Sequence, residues 1–311
     1  MQAQVVVFTS PKHLELRSLD LRTPGTGELE VDIEFSGIST GTERLLWDGT
    51  MPAFPGMGYP LVPGYESVGR ITKAGSDTTL KVGSRVFVPG AQSFEGVRNL
   101  FGGSASRLVV PEERTVAVED HLGAKAVLLA LAATSQHALA NQTPPDLIIG
   151  HGVMGRLLAR LTMAAGHPAP TVWELNPDRQ HGATGYSVMH PDQDARRDYR
   201  AIYDVSGDST ILDKAISRQA PGGEVVLAGF YKESLSFAFA PAFMRETRIR
   251  IATQWKPDDL LVASALAHSG KLSLDGLITH TEKTANAANA YEVAFTDAGC
   301  LKMILDWKHS A

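Results

Sequence analysis

The 311-residue chain has a single cysteine, Cys300. One thiol excludes disulfides within the chain and any zinc cluster built on several cysteines. The net charge is -5 and no long run of Lys or Arg occurs, so the electrostatic footprint of a nucleic-acid-binding protein is missing. No apolar run approaches the roughly 20 residues of a membrane-spanning helix. The first residues, MQAQVVVFTSPKHLELR, lack a basic region followed by an apolar core, and read as a strand rather than a signal peptide. A cytoplasmic protein is expected, with peripheral attachment to a membrane left open. Internal repeats and low-complexity tracts are absent as well. What remains is 43% hydrophobic and 20% charged, with 29 glycines. That suits a globular protein of two domains in which many turns join short strands.

The most informative stretch is DLIIGHGVMGRLLARLTMAAGHPAPTVWELNPD, from Asp146 to Asp178. Leu147-Ile148-Ile149 reads as a buried parallel strand. It enters a G-x-G-x-x-G turn, Gly150-His151-Gly152-Val153-Met154-Gly155. A helix follows, with Leu157, Leu158, Leu161 and Ala165 on one face and a stop at Gly166. A second strand, Thr171-Val172-Trp173, ends in Glu174. Gly150 allows the tight turn. Gly152 lets a pyrophosphate approach free N–H groups at the positive end of the helix. Gly155 lets helix and strand pack closely. Glu174 stands about 20 residues beyond the glycines, where a carboxylate accepts both ribose hydroxyls of an adenosine. A carboxylate there repels a 2′-phosphate, so NAD is expected rather than NADP. Arg179 reads as a groove residue beside that ribose. The plain structural alternative for Glu174 is a solvated strand-end acid.

Short, mostly alternating apolar runs at 4–8, 29–35, 67–71, 85–88 and 106–110 make the first 120 residues β-rich. Residues 121–141 read as one helix leading into the nucleotide unit. The strand Ala201–Val205 runs into Ser206-Gly207, a helix is expected over 209–219, and the strand Glu224–Gly229 follows. This repeated βαβ order implies a doubly wound parallel sheet. The segment between Glu174 and Tyr203 is too short for the usual two helices and a strand, so the sheet should be trimmed on that edge. A helix at 258–268, a strand at 276–279, a helix at 284–295 and a last strand at 301–305 return to the first domain. The expected layout is α/β: a β-rich domain at 1–120, a dinucleotide domain at 121–265, and a return over 266–311.

Gly37-Ile38-Ser39-Thr40-Gly41-Thr42-Glu43, Val62-Pro63-Gly64-Tyr65-Glu66-Ser67-Val68-Gly69, Val82-Gly83-Ser84-Arg85-Val86, the Gly150–Gly155 turn, Gly222–Gly229 and Leu277-Ile278-Thr279-His280 together resemble the medium-chain dehydrogenase/reductase superfamily over essentially the whole chain. The resemblance implies a GroES-like β domain paired with a Rossmann domain, with reaction in the cleft between them. It also implies Ser206, Gly207 and Gly229 beside the cofactor, with Gly150 to Gly155, Glu174 and Arg179. Many members hold a catalytic zinc. Here the ligand positions carry Ser39, Tyr65 and Ala130 or a neighbour, with only Glu66 retained, and Gly90 to Phe101 is a short loop where a four-cysteine lobe would lie. One carboxylate does not make a zinc site, which takes about four N, S or O donors. No metal is expected.

The stretches 36–70, 222–231, 243–251 and 294–307 are similar to a narrower family of dehydrogenases late in bacteriochlorophyll synthesis. That similarity implies NAD-dependent oxidation of the 3-(1-hydroxyethyl) group of a chlorin or bacteriochlorin to 3-acetyl. Hydride loss from a secondary alcohol builds negative charge on its oxygen, and a side chain must take the proton. Tyr65 and Thr42 are the candidates for that oxygen, with Glu66 behind them. His137 is a further candidate, since imidazole titrates in the useful range. The bland alternatives are Tyr65 filling the former metal's space, Glu66 bonded to backbone N–H groups, and His137 in packing. For the flat macrocycle, the loop 47–60 offers Trp47, Phe54, Met57 and Tyr59, with Ser39 nearby and Phe230 and Tyr231 on another wall. Phe54 and Met57 plugging the core is the competing reading. Two other functions fit the chain: a zinc-free enone or quinone reductase, which usually prefers NADPH, and a nucleotide-binding scaffold without catalysis. A homodimer stays open.

Overall fold

The computed structural model describes residues 1–308. The chain divides into two compact units. One holds Met1–Ala130 together with the stretch from Leu274 onward, and the other is Leu131–Ser273.

The first unit is built on two sheets. In the larger, strands run His280–Lys283, Met303–Asp306, Glu28–Ile38, Ser67–Ala74, Arg85–Val88 and Val116–Ala117, with Arg107–Pro111 also paired to Glu28–Ile38. The smaller sheet orders His13–Asp20, Gln2–Ser10, Leu61–Val62 and Arg98–Asn99. Apolar strand residues dictate this arrangement: the consecutive Val5 to Phe8 and the alternating Leu29, Val31, Leu108 and Val110, with Val86, are buried in one core. The long strand Glu28–Ile38 organises the unit. It pairs antiparallel with Ser67–Ala74, placing Ser36 opposite Ser67. It also pairs antiparallel with the C-terminal strand, placing Ile38 opposite Met303. Three parts of the chain far apart in sequence therefore meet at one strand end.

The second unit is a six-stranded parallel sheet in the order Ser187–Met189, Thr171–Trp173, Leu147–Ile149, Tyr199–Asp204, Gln219–Leu227, Arg248–Ile251. The helix Val153–Ala164 buries Leu157, Leu158 and Leu161 of the expected face, while Ala165 lies just past the helix and is exposed. The edge expected to be trimmed is trimmed. Between Trp173 and Tyr199 the chain makes only two single 3-10 turns, Pro177–Arg179 and Pro191–Gln193, around the strand Ser187–Met189. Both turns start alike. Asn176 and His190 accept the N–H groups of Asp178 and Asp192, and a proline follows each cap, where its missing N–H costs nothing.

Several boundaries differ from the sequence reading. The helix expected over 121–141 is a 3-10 run, Asp120–Leu128, followed by an α-helix, Leu129–Leu139. Gly123, at φ 50 and ψ -132, breaks it, a conformation that ends helical geometry. The strand expected at 276–279 lies at His280–Lys283, because its register is set by pairing His280 with Met303. The last strand likewise starts at Met303 rather than Leu301. Elements not expected from the sequence include the largely exposed edge strand His13–Asp20, the short helices Thr42–Asp48 and Phe239–Met244, and the edge strand Arg248–Ile251; each is too short or too exposed to show a periodic apolar pattern.

Candidate active site

In the first unit, the end of the strand Glu28–Ile38 delivers Ser39, and the helix Thr42–Asp48 starts three residues later. The loop between Leu61–Val62 and Ser67–Ala74 brings Tyr65 over them. Its hydroxyl donates to Ser39 Oγ at 2.6 Å and lies 2.9 Å from Thr42 Oγ1, while Ser39 Oγ is 3.5 Å from Thr42 Oγ1. The turn demands Gly64 at φ 96, where a Cβ would come within 2.7 Å of the Ser104 nitrogen. The Tyr65 ring stands edge-on to Phe101 with centroids 5.7 Å apart. Burial, and then the nearby charge of Glu66, push the Tyr65 phenol well above its ordinary value. Tyr65 is therefore a neutral hydroxyl at neutral pH, suited to donating a hydrogen bond and unsuited to acting as a phenolate base.

Glu66, next in sequence, points elsewhere. It is fully buried, and the Lys302 ammonium donates to Oε1 at 2.9 Å, to Oε2 at 2.6 Å and to the Ile38 carbonyl at 3.1 Å. All three ammonium protons are thus used. Gly37 makes room for the carboxylate, since a Cβ there would meet Glu66 Oε2 at 2.2 Å. Lys302 was legible as one charge inside the apolar run Leu301–Leu305, and the sequence reading passed over it.

A second buried carboxyl, Glu43, was also missed. Its Oε1 accepts the Ser39 N–H at 3.3 Å, and the Tyr291 hydroxyl is 3.1 Å from its Oε2. Tyr291 in turn lies 3.1 Å from Ser104 Oγ. With no cation on it, Glu43 is pushed up to about 8, by burial first and by the charge of Glu66 second. It is a protonated acid at neutral pH.

The residues expected to line a substrate pocket are divided between the two units. Ser39 belongs to the hydroxyl group just described. Trp47 packs into the core, with ring centroids 5.3 Å from Phe8, 6.3 Å from Tyr291 and 6.4 Å from Phe295. Met57 and Tyr59 pack partly buried against the same core, and the Tyr59 hydroxyl donates to the Leu46 carbonyl. Phe54 is partly buried in that loop. In the second unit, Phe230 is half exposed, and the Tyr231 hydroxyl donates to the Asp204 carboxylate. His137 also lies in the second unit, 2.8 Å from Asp259 Oδ2, which additionally accepts the Lys256 N–H.

The glycine turn has the geometry its sequence demands. Gly150 sits at φ 102, and a Cβ on Gly155 would collide with the Gly150 carbonyl at 1.9 Å. A Cβ on Gly152 would meet nothing within 4 Å, so the backbone there is open to a ligand. Gly152 begins the helix without a side-chain cap, which leaves the N–H groups around Val153 and Met154 for an anion. Glu174 is held by backbone: Oε2 accepts the His151 N–H at 3.0 Å and Oε1 the Asn176 N–H at 2.8 Å. The other loops at this sheet end are tied through Asp204. Its side chain accepts the Ser206 hydroxyl at 2.7 Å, and its carbonyl accepts the Gly229 N–H at 3.0 Å. Gly207, at φ 73, and Gly229 approach each other so closely that a Cβ on Gly229 would lie 3.3 Å from the Gly207 nitrogen.

At the positions where zinc-dependent relatives hold their metal, the donor set does not fit one. The hydroxyls of Ser39 and Tyr65 satisfy each other, Glu66 is taken by Lys302, and Ala130 offers no donor atom. Among the described residues no group of three or more His, Cys, Asp or Glu is placed to hold a metal ion.

A GroES-like unit and a Rossmann sheet are the fold of the medium-chain dehydrogenase/reductase class. Residues 25–120 match the Alcohol dehydrogenase GroES-like domain. A solved alcohol dehydrogenase from E. coli CFT073, complexed with NADH, shares the fold with a TM-score of 0.83 at 19% identity, over 98% of this chain and 99% of that one. The 2-desacetyl-2-hydroxyethyl bacteriochlorophyllide A dehydrogenase of Rhodobacter capsulatus is 56% identical over 99% of both chains. Its namesake from Cereibacter sphaeroides is 52% identical over the full length of both. The chain belongs to the 2-desacetyl-2-hydroxyethyl bacteriochlorophyllide A dehydrogenase family.

Proposed function

We propose that the protein oxidises the 1-hydroxyethyl substituent of a bacteriochlorophyllide-type tetrapyrrole to an acetyl group, with NAD as hydride acceptor and no metal at the reacting oxygen. The observation that carries the substrate is full-length identity above one half to relatives bearing that activity in their names. The choice of NAD rests on Glu174, whose backbone-held carboxylate keeps lone pairs for ribose hydroxyls and repels a 2′-phosphate. The metal-free reading rests on the hydroxyls of Ser39 and Tyr65 at two of the ligand positions and on Lys302 occupying Glu66.

NAD, when bound, would supply the hydride acceptor, and the glycine turn and Glu174 would hold it. The carbinol oxygen sits against Tyr65 and Thr42. Tyr65 turns its proton from Ser39 toward the oxygen as negative charge grows there, and Thr42 Oγ1 accepts the substrate's hydroxyl proton while giving its own to water. Glu66 and Lys302 hold the loop from behind and touch no reacting atom. The same sheet that binds the cofactor ends on the open strand Arg248–Ile251, with Ile251 exposed. We read that edge as the surface for a second copy, which sedimentation equilibrium tests.

Absorbance of the metal-stripped protein with NAD and the hydroxyethyl bacteriochlorophyllide tests the whole reading. NADH formation, with the red shift of a newly conjugated acetyl group and no effect of chelator, is the expected result. Turnover only after zinc is restored overturns the metal-free mechanism. Preference for NADP overturns the role of Glu174.

A further inference from the structure

One cluster has no part in that mechanism. Arg156 lies on the buried face of the helix Val153–Ala164, beside Leu157 and Leu158, and is only 4% exposed. A buried guanidinium is costly to desolvate unless its donors are satisfied, and packing alone favours an aliphatic residue there. Its partners are main-chain carbonyls. Nε donates to the His151 carbonyl at 3.0 Å, and Nη2 donates to the carbonyls of Arg179 at 3.1 Å and His181 at 2.7 Å. The chain bends around it: Gly182 sits at φ 80, and a Cβ there would come within 2.5 Å of Nη1.

His151 works beside it. Its ring is fully buried, with Nδ1 2.6 Å from the Arg179 carbonyl and Nε2 2.8 Å from the Tyr186 hydroxyl. A carbonyl only accepts, so Nδ1 carries the proton and Nε2 accepts from Tyr186. The His151 backbone N–H meanwhile holds Glu174. Segment 174–182 is thus bound to His151 of the glycine turn at Glu174 and Arg179, and to Arg156 of the following helix at Arg179 and His181. This is the segment in which the usual crossover helix is missing.

We propose that Arg156 and His151 form a clamp that replaces the missing helix and positions the adenosine end of the dinucleotide site, so that affinity for the adenosine half of the cofactor depends on a residue that never touches it. The proposal rests on the NAD reading above. Arg156 is a positioning residue, acting through the main chain at Arg179 and through Glu174.

The test uses the full-length Arg156→Met protein. The expected result is a rise of about tenfold in KM for NAD and in the inhibition constant of ADP-ribose, equal to about 1.4 kcal/mol. Inhibition by nicotinamide mononucleotide, kcat and KM for the tetrapyrrole should stay within about twofold, as a mislaid adenosine site alone would give. Arg156→Lys should not restore the affinity, because an ammonium lacks the planar fork that serves three carbonyls. An unchanged ADP-ribose constant overturns the proposal. So does a proportional loss in every parameter, which marks general loosening of the fold. If Arg156→Met does not fold, Tyr186→Phe removes one hydroxyl from the clamp and should raise the ADP-ribose constant about threefold; no change there overturns the clamp equally. Tighter wild-type binding of 2′-phospho-ADP-ribose than of ADP-ribose defeats the NAD reading instead, and leaves the effect of Arg156→Met to be judged on whichever nucleotide binds.

Discussion

Glu66 and Glu174 each close a recognisable motif, one in the first unit and one in the second, and they are built in opposite ways. Glu66 has no exposed surface, and Lys302 occupies both its oxygens. Glu174 is partly exposed, and each of its oxygens accepts a single backbone N–H. A carboxylate has about four lone-pair sites. Glu66 presents its acceptors to a cation within the fold, and Glu174 retains acceptors facing outward. The same residue type therefore supports architecture in one unit and, in the proposed reading, ligand binding in the other, and accessible lone pairs mark the difference.

That contrast can be broken experimentally. The largest effect is expected from Lys302→Met, which leaves Glu66 as an unpaired buried charge. It should cost about 3–5 kcal/mol of stability, read from urea unfolding, whereas Lys302→Met with Glu66→Gln should recover most of the loss. An unstable double variant would show that the carboxylate does more than pair with the lysine. Glu43 gives a second stability test. Its folded value of about 8 lies above the ordinary carboxylate value of 4.5, so between those pH values the folded state holds a proton that the unfolded state has lost. Stability should fall as pH rises through that window, by up to about 1.4 kcal/mol per pH unit from this one group. Below 4.5 both states are protonated, and above 8 both are ionised, so the contribution is flat on either side. Glu43→Gln should remove that part of the slope, and unfolding midpoints at pH 5 and pH 8 compare the two proteins.

Tyr65→Phe keeps the ring against Phe101 and removes only the hydroxyl. It should lower kcat on the order of a hundredfold with KM for NAD unchanged. Retention of kcat within a few-fold would reduce Tyr65 to a space-filler. The smallest effect sharpens the opposite carboxylate. Glu174→Gln should raise KM for NAD by about tenfold and relax discrimination against NADP, with stability within about 1 kcal/mol of the parent. A large stability loss would place Glu174 in the same class as Glu66.

Much of this was legible in the chain. The glycine turn, its helix and its acid lie within about thirty residues, and each has a local geometric reason, so spacing alone exposed them. The short span between Glu174 and Tyr203 likewise announced a trimmed sheet edge. The resemblance, rather than composition, supplied the substrate and Tyr65. What stayed hidden was non-local. Lys302 reaches Glu66 only through the pairing of Met303 with Ile38, and Tyr291 reaches Glu43 across 248 positions. No periodicity reports such a meeting. The packing of the aromatic loop was hidden for the same reason: Trp47 stacks on Tyr291, whose position only the fold defines.

The C-terminal strand also sets an order of events during synthesis. Glu66 leaves the ribosome 236 residues ahead of the lysine that neutralises it. Until then the first unit lacks both its pairing strand and its buried cation. The nucleotide-binding unit, which closes at Ser273, has its whole sequence by that stage, and domains generally fold as units. Closing a loop of this length is slow relative to local pairing, so the hydroxyl cluster around Tyr65 should be the last part of the molecule to mature. A nascent chain would then bind nucleotide before it could oxidise anything.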